Sequence, residues 1–296
     1  MVYFREAGKY ILSKVDLFIP QGVAVGVIGA SGVGKTTLLK LVCGLLACDH
    51  GMVRTMGKDP VRDRKILAAH LRAYFSELYY FQQDDTVESQ FRLMEKLYQL
   101  DRKQCREEYG RLDDQFRFSD FLHQRVGRLS TGQRRRVELA ALLMGDTDLL
   151  LLDEPTNGMD EQGKRAFWEE ICRKKEAGTT ILFSSHNMAE IGQTCDRILL
   201  LDKGNVCYYG DREGLLNRYA PVNQIDIQFS GVIPDMEDLP LLRYSLENDR
   251  LRLSYNANHI TAAEITKRIL EQTSIIRISV ARHDLADVIH SMADPD

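Results

Sequence analysis

The chain has 296 residues, of which 44% are hydrophobic and 28% charged, a composition typical of packed globular domains and long enough for roughly two of them. Its net charge of -4 gives no reason to expect binding to a nucleic-acid backbone, so we expect no nucleic-acid partner. The six cysteines form no C-x-x-C pair, which argues against a zinc site or a thiol redox motif. No run approaches the ~20 apolar residues that a membrane helix needs.

The first two thirds of the chain alternate between apolar runs and helical segments. GVAVGVI (22–28), DLLLL (148–152) and TILF (180–183) are typical of buried parallel strands, and each has a segment of helical spacing beside it. Between Thr86 and Leu129 the pattern changes, because Val87, Phe91, Met94, Leu97 and Tyr98 form the stripe of an amphipathic helix. RILLLDKGNVCYYGD (197–211) indicates a hairpin that turns at residues 203–205. We therefore predict an α/β fold with a mainly parallel sheet and a helical insertion at about 86–130.

Ala220-Pro221 marks a predicted domain boundary. The sequence beyond it predicts strands at QIDIQFS (224–230), RLRLSY (250–255) and IIRISVA (275–281), with helices at ITAAEITKRILEQ (260–272) and DLADVIHSMA (284–293). This pattern predicts a small α+β domain without a catalytic cluster, whose expected role is packing or dimer support. The predicted domains are residues 1–218 and 219–296.

GASGVGKT (29–36) matches the phosphate-binding pattern G-x-x-x-x-G-K-[ST], and it stands where the pattern must stand, between a strand and a helix. Gly32 and Gly34 allow backbone N–H groups to turn towards phosphate oxygens, and the helix N-terminus favours negative charge. Lys35 supplies a charge to the β- and γ-phosphates, and Thr36 offers a hydroxyl to Mg²⁺. The predicted nucleotide contacts are Gly29, Ala30, Ser31, Gly32, Val33, Gly34, Lys35, Thr36 and Thr37.

The strand DLLLL is followed by two carboxylates, Asp153 and Glu154. A carboxylate at the end of the strand can hold Mg²⁺ directly or through water, so Asp153 is a predicted metal ligand. Glu154, one residue later, is placed to polarise an attacking water molecule.

LSTGQRRRVELA (129–140) resembles the signature segment of ABC-type ATPases. The resemblance continues in family order through LLLLDEPTNGMD, which ends at Asp160, and ILFSSH, which ends at His186; the four motifs cover residues 22–210. It implies a P-loop NTPase fold of the ABC ATPase type. It also implies that Ser130 and Gly132 bind the γ-phosphate of an ATP molecule held by a second subunit, and that Gln133 and Asp160 are further nucleotide-binding residues. Asp160 would lie across the dimer seam, and His186 would contact the γ-phosphate and the water.

GKDPVRDRK (57–65), VESQFRLMEKLY (87–98) and the C-terminal domain are similar to the ATP-binding subunits of bacterial drug, antibiotic and polysaccharide exporters. In that branch the permease is a separate chain. The resemblance implies an ATPase that uses ATP and Mg²⁺, dimerises with a second ATPase subunit, expected to be identical, and powers export through an integral membrane permease. The implied location is the cytoplasm, at the inner face of the cell membrane.

The stretch YFSELYYFQQDDTVE (74–88) departs from the family pattern. In ABC ATPases a glutamine that contacts Mg²⁺ and the attacking water precedes a Thr/Ser-Val pair by about nine residues. Counting back nine residues from Thr86 gives Glu77, whereas Gln82 and Gln83 stand only four and three residues away. We therefore predict Glu77 as a metal ligand and catalytic residue. Because a carboxylate only accepts hydrogen bonds, we expect altered hydrolysis or coupling with ATP binding retained.

The N-terminus also departs from the family, because only about ten residues precede ILSKVDL and the first strand is expected to be short or missing. Phe4 is the predicted ring that stacks on adenine, with Tyr3 next, and an ordinary packed aromatic residue is the alternative.

Two other functions fit parts of the sequence. A soluble ABC ATPase acting on DNA or the ribosome is disfavoured, since the chain has one cassette and no C-x-x-C insertion. A regulatory ATP-binding switch with weak hydrolysis, altered at Glu77, is disfavoured by Glu154 and His186.

Overall fold

The structure is a computed structural model that describes residues 1–78, 80–236, 239–281 and 288. It divides into two compact units, Met1–Tyr209 and Gly210–Asp296. The domain boundary after residue 218 stays a prediction. The helix predicted at 284–293 lies, apart from Val288, outside the described residues.

The first unit contains strands and helices that alternate along most of its length. Its strands are β1 (Val2–Glu6), β2 (Lys9–Val15), β3 (Ala24–Ile28), β4 (Leu71–Phe75), β5 (Leu149–Asp153), β6 (Thr180–Ser184), β7 (Arg197–Asp202) and β8 (Asn205–Gly210). Its helices are α1 (Lys35–Val42), α2 (Arg64–Leu67), α3 (Val87–Leu97), α4 (Arg102–Phe116), α5 (Thr131–Leu142), α6 (Glu161–Glu176) and α7 (Met188–Thr194), with short 3₁₀ turns at Ser119–Phe121 and Val126–Arg128.

Six of these strands form one sheet in the order β4-β5-β6-β3-β7-β8. The pairs β4–β5, β5–β6, β6–β3 and β3–β7 are parallel, and every residue of β3 and β5 is buried. Full burial explains their continuous apolar sequence, because both faces of a parallel sheet are covered. β7 and β8 form the predicted hairpin, whose turn residues Lys203 and Gly204 have positive φ, as type I′ turns require.

The insertion predicted at 86–130 consists of α3, α4 and the 3₁₀ turns. Thr86 begins α3 as its N-cap, and its hydroxyl oxygen accepts a hydrogen bond from the Ser89 N–H. Only the first part of the predicted apolar stripe is buried: Val87 and Phe91 are covered, and Phe91 stacks on Phe118 at 4.5 Å, whereas Leu97 is 59% exposed. The insertion therefore has a small aromatic core at the N-terminal end of α3, while at the other end Leu97 is exposed and Tyr98 is half buried under the Arg72 guanidinium.

The second unit contains an antiparallel sheet. Its elements are α8 (Arg212–Tyr219), β9 (Val222–Ser230), β10 (Leu241–Glu247), β11 (Arg250–Asn256), α9 (Ala262–Leu270) and β12 (Ser274–Ala281). The strand order is β10-β11-β9-β12, and the apolar residues of β9 and β11 pack with Ile265 and Ile269 of α9. β10 was not among the predicted strands. Its residues from Leu242 to Glu247 are all exposed, so burial imposes no alternation of polar and apolar residues on it.

Among the described residues, the helices lack the combination of length and hydrophobicity that a transmembrane segment requires.

Candidate functional site

The loop between β3 and α1 has a backbone path that two of its glycines permit. At Gly29, φ is 144° and a Cβ atom would lie 2.3 Å from the Leu201 carbonyl oxygen. At Gly34, φ is 105° and a Cβ atom would lie 2.7 Å from the Leu12 side chain of β2. Side chains at these positions would be strained and would collide, so the close approach of β2 and β7 to the loop depends on glycine.

Lys35, the first residue of α1, is buried and turned back towards the loop that precedes it. Its ammonium group donates hydrogen bonds to the carbonyl oxygens of Gly29 at 2.8 Å and Ala30 at 3.0 Å. Burial lowers the pKa of Lys35, and the nearby carboxylates of Glu154 and Asp153 act in the opposite direction. The predicted phosphate-binding cation therefore lies inside the loop.

Asp153, at the end of β5, accepts hydrogen bonds from two hydroxyl groups on neighbouring elements. The Thr36 hydroxyl, at the start of α1, donates to Oδ2 at 2.7 Å, and the Ser184 hydroxyl, at the end of β6, donates to Oδ1 at 2.6 Å. A carboxylate and a hydroxyl side by side at the phosphate loop are oxygen donors of the kind that Mg²⁺ uses together with substrate phosphates. The donor set fits this metal. Ser184 is a site residue that the sequence analysis missed, although its place at the end of the neighbouring parallel strand was a usable signal.

Glu154 and His186 lie side by side beyond the ends of β5 and β6. The His186 ring nitrogen Nε2 lies 3.1 Å from Oε1 of Glu154, and the His186 backbone N–H donates to Oε2 at 3.3 Å. Burial raises the pKa of Glu154, while the charge of His186 and its N–H act to lower it. The backbone of Glu154 has a φ of 48°, in the left-handed region, and its N–H is held by the Ser184 hydroxyl at 3.1 Å.

The predicted signature residues form the start of α5. Ser130 is its N-cap: the hydroxyl oxygen accepts from the Gln133 N–H at 3.2 Å, and the Gln133 side chain accepts from the Ser130 N–H at 2.9 Å. Ser130 is exposed, and the Gly132 Cα lies near the Gly158 carbonyl, where a Cβ atom would come within 3.3 Å of the oxygen. These residues contact their own helix and the turn around Gly158, and their role towards a second subunit stays a prediction.

Asp160 caps α6, since its Oδ1 accepts from the Gly163 N–H at 2.8 Å. Its other oxygen pairs with Arg136 of α5. Asp160 thus joins the segment after Glu154 to the signature helix within one chain, and its place at a dimer seam stays a prediction.

Glu77 lies just beyond the end of β4, where Phe75 pairs with Asp153 and the Ser76 N–H donates to the Asp153 carbonyl at 3.3 Å. Its side chain is 74% exposed, and Oε2 lies 3.8 Å from the ammonium nitrogen of Lys40, one helical turn after Thr36. Glu77 therefore projects beside the helix that carries Thr36. The catalytic and metal roles of Glu77 stay predictions.

The two neighbouring glutamines make backbone contacts with the helical insertion instead. The Gln82 N–H donates to the Gln90 side chain at 3.3 Å, and the Gln83 carbonyl accepts from the Gly127 N–H at 2.9 Å.

A residue that the sequence analysis missed holds the Glu77 loop. The guanidinium of Arg135, in α5, donates to the Tyr74 hydroxyl at 2.7 Å and to the Ser76 carbonyl at 3.1 Å. The signature helix is therefore bonded directly to the residue before Glu77.

At the N-terminus the first strand is present as β1, five residues long. Phe4 is half buried, pairs with Leu12 of β2 and packs against the core, which is the packing role considered as its alternative. The Tyr3 ring lies 5.9 Å from the ring of Tyr10, which is 45% exposed and which the sequence analysis did not consider. The adenine contact of Phe4 stays a prediction.

The fold and the phosphate loop define a P-loop nucleotide hydrolase. Residues 12–157 match the family described as ABC transporter. The chain is 33% identical over 214 residues to the ABC transporter ATP-binding protein NatA of Bacillus subtilis (strain 168), covering 72% of this chain and 87% of that protein. It is 29% identical over 277 residues to the daunorubicin resistance ATP-binding protein DrrA3 of Streptomyces coeruleorubidus, covering 92% and 84%. It is also 29% identical to the Nod factor export ATP-binding protein I of Paraburkholderia xenovorans (strain LB400), covering 74% and 72%.

The chain belongs to the family of ABC transporter ATP-binding proteins. A solved structure described as the ATP-binding subunit of an ABC transporter has a TM-score of 0.69 and 23% identity, covering 74% of this chain and 90% of that chain, and it supports the fold. The predicted fold class is confirmed, and so is the prediction that the chain is an ATPase subunit of the ABC type.

Proposed function

We propose that two copies of this chain bind two ATP molecules between them and that hydrolysis drives export through a separate membrane permease, at the inner face of the cell membrane. The observation that carries the proposal is the convergence of the Lys35 loop, the Thr36–Asp153 pair and the Glu154–His186 pair at one edge of the sheet. Export is supported by relatives that are named for daunorubicin resistance and Nod factor export.

Each of these residues has a distinct role in the proposed reaction. Lys35 and the loop N–H groups bind the β- and γ-phosphates, and Thr36 and Asp153 hold Mg²⁺, which neutralises charge on the phosphates when bound. Glu154 accepts a proton from the attacking water, and His186 orients the Glu154 carboxylate and contacts the γ-phosphate. The oxygen of water attacks the γ-phosphorus, the bond to the β-phosphate oxygen breaks, and ADP leaves with that electron pair. Ser130 of the partner copy completes the γ-phosphate contacts.

ATP turnover by the purified full-length chain tests the enzymatic part of the proposal. We expect Glu154→Gln to lower kcat by about 100-fold or more while ATP binding is retained, because the amide cannot accept the proton. The same variant should accumulate as an ATP-dependent dimer in light scattering, and Ser130→Arg should prevent that dimer. Turnover that is unchanged in Glu154→Gln would refute the assignment.

The proposed permease partner is tested by co-purification of this chain with a multi-span membrane protein that is encoded beside it. We expect ATP turnover of the joint complex to respond to a transported compound, and uptake into inside-out vesicles to require both chains. A complex that accumulates substrate in the opposite direction would contradict export.

Within this function we propose that Glu77 takes the place of the usual glutamine. Glu77→Gln should preserve or raise turnover, because a neutral amide removes repulsion with the γ-phosphate and Glu154. Gln82→Ala and Gln83→Ala serve as matched controls and should leave kcat within about 2-fold. Loss of activity in either glutamine variant together with a silent Glu77→Gln would overturn this assignment.

A further inference from the structure

Glu190 is a buried carboxylate that the proposed reaction does not use. It lies in the first turn of α7, is 8% exposed, and makes no ion pair with any lysine, arginine or histidine among the described residues. Its oxygens accept hydrogen bonds from two hydroxyl groups, that of Ser185 at 2.7 Å and that of Thr156 at 3.2 Å. Burying a carboxylate without a neighbouring cation costs free energy unless hydrogen bonds compensate for the lost water. The hydrogen bonds to Glu190 therefore constrain the positions of the two segments that carry Ser185 and Thr156.

The first of these segments carries His186. The Ser185 hydroxyl donates a hydrogen bond to Glu190 and accepts one from the Asn187 N–H at 3.0 Å. It therefore links the residues before and after His186 to each other and to Glu190. The His186 side chain is 63% exposed, and within the described part of the chain its polar contact is with Glu154. Packing therefore fixes the ring only weakly, and the backbone of residues 185–187 determines where it lies.

The second segment runs from Glu154 to Asp160. Thr156 is 6% exposed, and its backbone carbonyl accepts from the Met159 N–H at 3.1 Å, which forms the turn that leads to Gly158 and Asp160. That turn contacts the start of the signature helix near Gly132. One carboxylate thus bonds to hydroxyl groups on the segment of His186 and on the segment that leaves the catalytic glutamate.

We propose that Glu190 is a positioning residue, which holds His186 against Glu154 and fixes the Thr156–Asp160 turn by accepting hydrogen bonds from Ser185 and Thr156. It acts through these two residues and does not touch the nucleotide. The proposal rests on the proposed function for its effect on turnover, while its structural part concerns only the position of His186.

The test compares Glu190→Ala and Glu190→Gln in the full-length chain. Removal of the carboxylate lets the His186 bend move by a fraction of an ångström or more, so we expect kcat to fall by about 10- to 100-fold with the apparent KM for ATP within about 2-fold. Glu190→Gln keeps one oxygen acceptor and should lose less activity than Glu190→Ala. The matched control is Glu170→Gln, a buried carboxylate of α6 that bonds to Arg111 and Arg173, which should leave kcat within about 3-fold at temperatures where it is folded.

Two further readouts separate positioning from a general loss of stability. In NMR spectra of the chain, the ring signals of His186, identified by their loss in His186→Ala, should shift in Glu190→Ala and stay in place in Glu170→Gln. In single-turnover measurements, Glu190→Ala should add little to the defect of His186→Ala, because the two act as one unit.

Unmoved His186 signals, or fully additive effects in the double variant, would overturn the proposal. If the wild-type chain does not turn over ATP, the proposed function fails, and the NMR comparison still decides whether Glu190 positions His186.

Discussion

The pKa of the Glu154 carboxyl group is raised by burial and lowered by neighbouring charges. Burial penalises its charged form and raises the pKa above the 4.5 of an ordinary glutamate, while His186 and Lys35 favour the charged form. Since a general base must be deprotonated, we expect kcat/KM for ATP, which reports the free enzyme, to fall as the pH decreases through a value above 4.5. His186→Gln removes one stabilising charge, so the acidic limb of its kcat/KM profile should move to higher pH. An acidic limb that moves to lower pH in this variant would contradict the assignment.

A second buried carboxyl group predicts a pH dependence of stability. Burial raises the pKa of Glu138, in α5, to about 7, and Arg134, the Tyr80 N–H and Arg135 offset only part of this effect. Between about 4.5 and 7 the folded chain therefore binds a proton that the unfolded chain has lost. The free energy of unfolding should decrease as the pH rises through this window, by up to about 3 kcal/mol from this group.

Glu138→Gln cannot ionise and should lose this dependence. Relative to the wild type, the variant should be more stable at about pH 8 than at about pH 5, as measured by urea denaturation at both values. Glu161→Gln, at a side chain that is 91% exposed, is the control and should give the same difference at both values. Equal stability differences for Glu138→Gln at the two pH values would refute the prediction.

The sequence predicts those site residues that belong to a contiguous motif. It misses site residues that are distant in the sequence and reach the site only in the folded chain. Lys35, Thr36, Asp153 and Glu154 follow directly from two short patterns, because strand and helix ends place them in a known way. Arg135 reaches Ser76 from a separate element, 59 positions away in the sequence, and Ser184 joins Asp153 across neighbouring strands. The Ser184 contact depends on the pairing of β5 with β6, and the Arg135 contact depends on where α5 packs, and neither arrangement is contained in a local motif.

Elements were predictable where burial left a clear pattern. The strands β3, β5 and β6 are covered on both faces, so their continuous apolar sequence identifies them. β10 is exposed along nearly its whole length and was missed, and Leu97, the last residue of α3, is exposed although it belongs to the predicted apolar stripe. The sequence specifies which residues avoid water, whereas the order of strands in the sheet depends on long-range pairing that periodicity does not reveal.

The helical insertion is joined to the α/β core by a buried cluster of charges. Glu170 of α6 is fully buried, and its carboxylate bonds to Arg111 of α4 and Arg173 of α6. Glu170→Ala removes the carboxylate partner of Arg173 and of the buried Lys174, while Arg111 keeps Glu108, so the free energy of unfolding should fall by about 3 kcal/mol. Urea denaturation measures this change, and Glu161→Ala, at an exposed position, should cost less than about 0.5 kcal/mol. Equal effects of the two substitutions would show that the cluster does not stabilise the insertion.

On the scale of the whole molecule, each unit has a hydrophobic core of its own. The core cluster around Val25, Leu151 and Leu199 draws all its members from residues 2–209, and the cluster around Ile225, Leu253 and Ile265 draws its members from residues 225–275. A chain that ends at Tyr209 should therefore remain folded and bind ATP with a Kd within about 3-fold of the full chain. Circular dichroism and equilibrium binding measure this outcome, and an unfolded fragment would contradict it.

The left-handed backbone at Glu154 has a consequence for how this protein can change over evolutionary time. A side chain in that conformation costs roughly 1–2 kcal/mol relative to glycine, and the residue at this position carries the proposed chemistry. Under selection for thermal stability alone, glycine at position 154 would increase the free energy of unfolding. The same substitution would remove the proposed general base. Under the role proposed for Glu154, selection for ATP turnover would oppose this exchange, whereas selection for thermal stability alone would favour it.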